Sequence, residues 1–177
     1  MRSSVYLVLL GLALLTLAIV VRSGIFARKN PGEPINYAMR AALAENSPQL
    51  STEDALMISR KYPTAYKTPS GLMYINRDPG SGRATPKAGD TVVVNYDGRF
   101  LDGTPFDSSY KTGHPFVTPI GVGKVIKGWD EALLTMHKGA RRTLIIPYWL
   151  AYGDAGRPPY IPPRATLVFE VELVDFH

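Results

Sequence analysis

Residues 94–109 read VNYDGRFLDGTPFDSS and set Tyr96, Asp97, Asp102, Asp107, Ser108 and Ser109 among large aromatic side chains. Groups of this kind could bind a cation, perform hydrolysis, or simply turn the chain. The three aspartates stand five residues apart, which departs from the alternate-residue ligand order of a calcium loop. They read as turn residues, two of them within Asp-Gly pairs, with room for one exception. Ser108 and Ser109 lack a flanking glycine elbow and a histidine suited to activate them, which argues against a hydrolytic triad. Nothing marks a pair of carboxylates for glycoside cleavage either.

Other chemistries close in the same way. The chain has no cysteine, so thiol nucleophiles, disulfides, thiolate metal sites and lipid attachment at cysteine are all excluded. His114, His137 and His177 are scattered without metal-ligand spacing, and no metal or cofactor is expected. The stretch GVGKVIKG (121–128) begins like a dinucleotide loop, but Ile126 stands where the third glycine belongs and no βαβ unit surrounds it. The net charge of +5 is diffuse: residues 1–65 carry seven Lys/Arg against four Asp/Glu, and residues 66–177 carry thirteen against eleven. Without a clustered basic footprint, nucleic acid is not an expected partner.

The elements around these residues fall into three parts. Residues 3–21 are nineteen uncharged, mostly apolar positions; as a helix they would span about 28 Å, matching a bilayer core. The following VVRSGIFARKN offers poor cleavage sites, so residues 1–30 read as an uncleaved signal anchor, with a cleaved signal peptide as the other option. Arg2 precedes the segment, whereas Arg22, Arg28 and Lys29 follow it. That balance leaves a cytoplasmic orientation open, but export, with the domain extracytoplasmic, is the expectation. Residues 31–67 read as a helical arm or spacer. Within it, residues 34–45 carry an apolar stripe of Ile35, Ala38, Met39, Ala42 and Leu43. A second helix follows Ser51, with early acids, a basic end at Arg60-Lys61 and a stop at Pro63.

From residue 68 to 177 the texture changes to strands and turns. GLMYINRDPGSG, DTVVVNYDGRFL, RRTLIIP and ATLVFEVELVDF read as strands, and GWDEALLTM (128–136) as one short helix. The expected class is α+β, an antiparallel sheet wrapped around that helix. Tyr96, Phe106, Phe116, Trp129, Tyr152, Tyr160 and Phe169 lie near turns. Most aromatics in a small domain belong to its core, but together these seven could line an apolar pocket with few polar groups.

VNYDGRFLDGTPFDSS, the Pro-Phe pair at 115–116, KVIKGWDEALLTMHKGARRTLIIP and AYGDAGRPPYIPPRATLVFEVELVDF resemble, in order and spacing, the successive signatures of FKBP-type peptidyl-prolyl cis-trans isomerases. The resemblance covers residues 68–176. It implies a twisted antiparallel sheet curled around a short helix, with a proline-binding pocket between them that accelerates rotation about X-Pro bonds in client polypeptides and takes macrolide inhibitors. Carried over by position, it makes Trp129 the pocket floor and Tyr96, Phe106, Phe116 and Phe169 its walls. Val125 and Ile126 would line the rim and offer backbone groups to the peptide. Asp107 would sit near Tyr96, Tyr152 would present its hydroxyl to a substrate carbonyl, and Tyr160 and Ile161 would belong to a closing loop.

The chain departs from the family pattern at Thr112, where many members carry an arginine that holds the tyrosine–aspartate pair, and this predicts a less well held Asp107. Lys124 replaces a common glutamate, and Arg157 and Tyr160 alter the closing loop. Alternative functions are a non-catalytic peptide-binding module or holdase at the membrane, and a scaffold subunit of a membrane complex; retention of Tyr96, Asp107, Trp129 and Tyr152 favours the enzyme.

Overall fold

The computed structural model describes residues 48–177. The anchor expected at 1–30, its apolar stretch 3–21 and the helix expected at 34–45 lie outside the described residues. Among the described residues no helix is long and apolar enough to cross a membrane.

Helix α1, Thr52–Lys61, forms where its end signals place it. Ser51 is the N-cap, its side chain accepting from the Asp54 N–H at 3.0 Å; Glu53 and Asp54 occupy the first turn, and Arg60 and Lys61 the last. Both charge pairs oppose the helix dipole favourably. The helix packs on the domain. Its buried Ile58 meets Met73, Leu101, Ile145 and Val168 on the outer face of the sheet. Thr166 Oγ1 donates to Asp54 Oδ2 at 2.6 Å, and Lys61 Nζ donates to the Leu101 carbonyl at 2.8 Å.

The sheet comprises β1 (Tyr66–Lys67), β2 (Met73–Asp78), β3 (Thr91–Phe100), β4 (Pro105–Ser108), β5 (Phe116–Pro119), β6 (Arg141–Ile146) and β7 (Leu167–Phe176). Its order is β1-β2-β6-β7-β3-β4, and every pairing is antiparallel. One edge of β3 is shared: β5 pairs with residues 91–94 and β4 with residues 97–99. The strand expectations hold for β2, β3, β6 and β7; burial alternates along parts of β3 and β7, whereas residues 143–146 of β6 are buried in succession. The shorter β1, β4 and β5 carry too few residues to show a period.

Register aligns the inner face. Tyr74, Leu144, Phe169 and Gly98 form one row across β2, β6, β7 and β3, and Ile146, Leu167 and Phe100 form the next. Over these rows lies α3 (Lys127–Leu133), burying Trp129, Ala132 and Leu133 against Leu144, Ile146, Leu167 and Leu173. Each large apolar side chain sealed here contributes roughly 1.5–3 kcal/mol. The helix starts and ends earlier than the expected 128–136: after Leu133 the Thr135 and Met136 N–H groups bond three residues back, to the Ala132 and Leu133 carbonyls, in a tighter turn. Gly128 permits its close seating, since a Cβ there would lie 2.6 Å from Ile146 Cγ2.

Two short elements complete the fold, α2 (Ser109–Thr112) after β4 and a 3-10 turn (Tyr148–Leu150) after β6. The expectation that both Asp-Gly pairs turn the chain is corrected. Asp102-Gly103 does so, with Gly103 at φ 106°. Asp97-Gly98 runs within β3 instead, because Gly98 makes room for Phe106 and Phe169: an added Cβ would stand 2.9 Å from each ring.

Candidate functional site

Between α3 and the inner face of the sheet lies a cavity of about 220 Å³, lined by aromatic and aliphatic side chains with a few polar groups. Trp129, 5% exposed, is central to it. Its ring stands edge-on to Tyr96 (centroids 5.1 Å apart), Phe169 (5.4 Å) and Phe116 (6.0 Å). Phe106 meets Phe169 at 5.6 Å and 88°. Edge-to-face contacts of this kind fix ring orientation and add about 0.5–1.5 kcal/mol each beyond burial. Trp129 Nε1 is buried without a hydrogen-bond partner among the described residues, whereas Trp149 Nε1 donates to the Ser70 carbonyl at 2.9 Å.

Strand pairing explains why consecutive residues both reach the cavity. Successive side chains of a regular strand face opposite sides, so Phe106 and Asp107 should diverge. Instead, Asp107 pairs with Gly98 and Pro105 with Arg99, which leaves Phe106 as the extra residue of a bulge. The bulge re-aims the strand, and both side chains line the cavity.

Asp107 is held from two sides. Tyr96 Oη donates to Oδ2 at 2.7 Å, and the Ser108 N–H donates to Oδ1 at 2.9 Å. Thr112 takes no part: its Oγ1 donates to the Ser109 and His114 carbonyls. The weakened hold expected from Thr112 is thus offset by a backbone donor. Burial first, then the hydrogen bond to Asp107 and its charge, push the Tyr96 hydroxyl well above the usual tyrosine range. It therefore remains a neutral donor at physiological pH. The Tyr96 backbone is fixed as well, its N–H donating to Ser109 Oγ at 2.9 Å and its carbonyl accepting from Ser108 Oγ at 3.2 Å.

Val125 and Ile126 line the mouth just before α3, whose first N–H groups return to Ile126: those of Trp129 and Asp130 both donate to its carbonyl. Asp130 secures the preceding loop, accepting from the Gly121 N–H at 2.7 Å and the Gly123 N–H at 2.9 Å. Tyr152 also lines the cavity, with the Arg157 guanidinium 5.9 Å from its ring centre.

Nine of the eleven residues singled out from sequence therefore meet at one cavity: Tyr96, Phe106, Asp107, Phe116, Val125, Ile126, Trp129, Tyr152 and Phe169. Tyr160 and Ile161 do not. Ile161 is 4% exposed within the main core, and Tyr160 points outward, 74% exposed. The loop folds back on itself, with Arg157 and Ile161 bridged by paired backbone hydrogen bonds of 2.9 Å, and this turns the aliphatic side chain inward. Sequence reasoning missed Ser108 and Ser109 as the clamp on Tyr96, and Asp130 as the anchor of the rim; the signal available was hydroxyl and acid placement beside the aromatics. It noted Lys124 and Arg157 only as departures from a pattern, yet both line the cavity. Among the described residues no group of three or more His, Asp or Glu could hold a metal ion.

Comparison with known proteins places this geometry. The profile of the FKBP-type peptidyl-prolyl cis-trans isomerases matches residues 82–174. FK506-binding protein 1 of Rhizopus delemar is 54% identical over 99 residues, 56% of this chain and 92% of that protein. Human peptidyl-prolyl cis-trans isomerase FKBP2 is 53% identical over 88 residues, 50% of this chain and 62% of that protein. The crystal structure of AtFKBP13 superposes with a TM-score of 0.61 at 39% identity, covering 64% of this chain and 98% of that one.

Proposed function

The chain belongs to the FKBP-type peptidyl-prolyl cis-trans isomerase family, and from that premise we propose how its residues divide the work of isomerising X-Pro bonds. The observation that carries this reading is the Trp129-centred aromatic cavity with a single hydrogen-bonded tyrosine–aspartate pair in its wall. Rotation about an amide meets a barrier of about 18–20 kcal/mol because resonance must be broken, and unaided X-Pro exchange takes tens of seconds or longer. No covalent bond has to form. Bringing exchange to milliseconds requires about 10⁴-fold, or roughly 5.5 kcal/mol.

Trp129 forms the floor on which the proline ring rests, with Tyr96, Phe106, Phe116 and Phe169 as walls. Removing the planar amide from water disfavours its polar ground state relative to the twisted form, in which resonance is lost. Val125 and Ile126 present backbone groups to the peptide, and Tyr152 offers its hydroxyl to a substrate carbonyl. Asp107, kept in place by Tyr96 and Ser108, supplies a fixed negative charge beside the rotating bond. The relative from Rhizopus is named for binding FK506; here the same cavity would take a macrolide in competition with proline peptides. Titration with a Leu-Pro peptide should change Trp129 fluorescence in a Trp149→Phe background. A null response at millimolar peptide would remove Trp129 from the binding surface.

We further propose that residues 3–21 anchor the chain in a membrane, with the domain on the extracytoplasmic side. Their support is the uncharged, bilayer-length composition. Extraction of membranes with alkaline carbonate should leave the full chain in the pellet, and protease should reach the domain from outside sealed cells. Release into the supernatant would defeat the anchor, and protection from external protease would reverse the orientation.

A further inference from the structure

Two cations face the mouth of the cavity, and neither is neutralised. Lys124 and Arg157 line it from two separate loops, both exposed, and neither belongs to an ion pair among the described residues. No nearby acid is paired with either cation among the described residues. Asp107, the sole acid of the lining, accepts from Tyr96 and Ser108; Asp130 accepts from Gly121 and Gly123; Asp154 pairs with Arg164 at 3.4 Å; Glu131 accepts from Ser70 at 2.6 Å. Lys127, exposed at the start of α3, adds a third positive group beside the rim.

An exposed lysine alone is ordinarily a solvated surface group. Two unpaired cations lining one small cavity differ, because a peptide seated there brings the side chains flanking its proline close to them. Resting on the isomerase reading above, we infer that this protein prefers proline segments carrying an acidic side chain within two residues of the proline. The attraction acts through the mouth of the cavity, where low-dielectric aromatic walls strengthen it relative to open water. Lys124 and Arg157 are the specificity-determining residues, set apart from the aromatic floor that binds the proline itself.

The test compares the full chain on two peptide series, acetyl-Ala-Xaa-Pro-Phe-amide and acetyl-Ala-Leu-Pro-Xaa-amide, with Xaa as Glu, Leu or Lys. Exchange is read by NMR as kcat/KM. In at least one series the Glu peptide should exceed the Lys peptide about fivefold or more at low salt, and the ratio should collapse toward one in 0.5 M NaCl. Lys124→Glu or Arg157→Gln should shrink that ratio in variants whose Trp129 fluorescence shows an intact cavity. Equal rates for Glu, Leu and Lys peptides in both series, with all of them accelerated, would overturn the preference while leaving the isomerase intact. Failure to accelerate even the Leu peptides would sink the isomerase reading and this inference with it.

Discussion

Tyr96 and Asp107, on neighbouring strands β3 and β4, are joined by a 2.7 Å hydrogen bond from the phenol to the carboxylate, and a bulge at Phe106 brings the carboxylate into the cavity wall. Asp107→Val removes the charge placed beside the rotating bond and should lower kcat/KM by about 10- to 100-fold. Because the side chain is exposed, melting should shift by only a few degrees. Full activity in a folded Asp107→Val protein would remove this residue from the mechanism.

The pH response follows from the same pair. With its pKa raised above the ordinary value, the Tyr96 hydroxyl stays protonated between pH 6 and 9, and turnover should be flat there. For stability the sign runs the other way at high pH. A folded-state pKa above the unfolded value gives a contribution fully present below about pH 10 and lost as pH rises through the folded value. Tyr62, raised chiefly by burial, acts in the same direction. Urea titrations at pH 9 and 11 should show a loss of stability that is smaller in Tyr96→Phe; an unchanged loss would contradict the assignment.

Gly98 and Gly128 are both sites where a methyl group has no room, at 2.9 Å from Phe106 and Phe169 and at 2.6 Å from Ile146. Overpacking of this kind typically costs 1–3 kcal/mol. Gly98→Ala should displace the Phe106 and Phe169 walls and weaken peptide binding along with stability. Gly128→Ala should lift α3 and do the same through Trp129. Thermal melts and peptide titration check both, and wild-type values in either variant would refute the close approach.

Arg142 ties the end of α3 to the sheet without any carboxylate. Its guanidinium donates to Asn76 Oδ1 at 2.8 Å, Thr135 Oγ1 at 2.6 Å, the Thr135 carbonyl at 3.0 Å and the Ala132 carbonyl at 3.2 Å, and lies 4.6 Å from the Tyr74 ring centre. Burial depresses its pKa, the direction expected when a charge is desolvated without an acid beside it. Arg142→Met leaves the carbonyls unpaired and should cost about 1–3 kcal/mol. Lysine should rescue little, since it lacks the planar fork. Denaturant midpoints for the two variants decide this, with full rescue by lysine contradicting the geometric role.

Much of this architecture was legible in residue order. β3 and β7 announce themselves by alternation, and α1 by Ser51, Asp54 and Lys61, because those signals act locally. The bulge at Phe106 was not legible, since it depends on how β4 registers against β3. Nor was the fate of Tyr160 and Ile161: two adjacent apolar residues on a loop look alike until the fold decides which one completes the core. The first Asp-Gly misled because Gly98 serves neighbouring rings rather than the backbone. Lys124 and Arg157 stand out as residues, but their shared cavity appears only once the loops close on it.

The most direct test is cis/trans exchange of a Leu-Pro peptide, followed by NMR with the full chain at substoichiometric concentration and again with Trp129→Ala. The expected result is exchange accelerated by the wild type and lost, by about tenfold or more, in a Trp129→Ala protein that remains folded. Peptide binding without acceleration by the wild type, or undiminished acceleration by folded Trp129→Ala, would contradict the account.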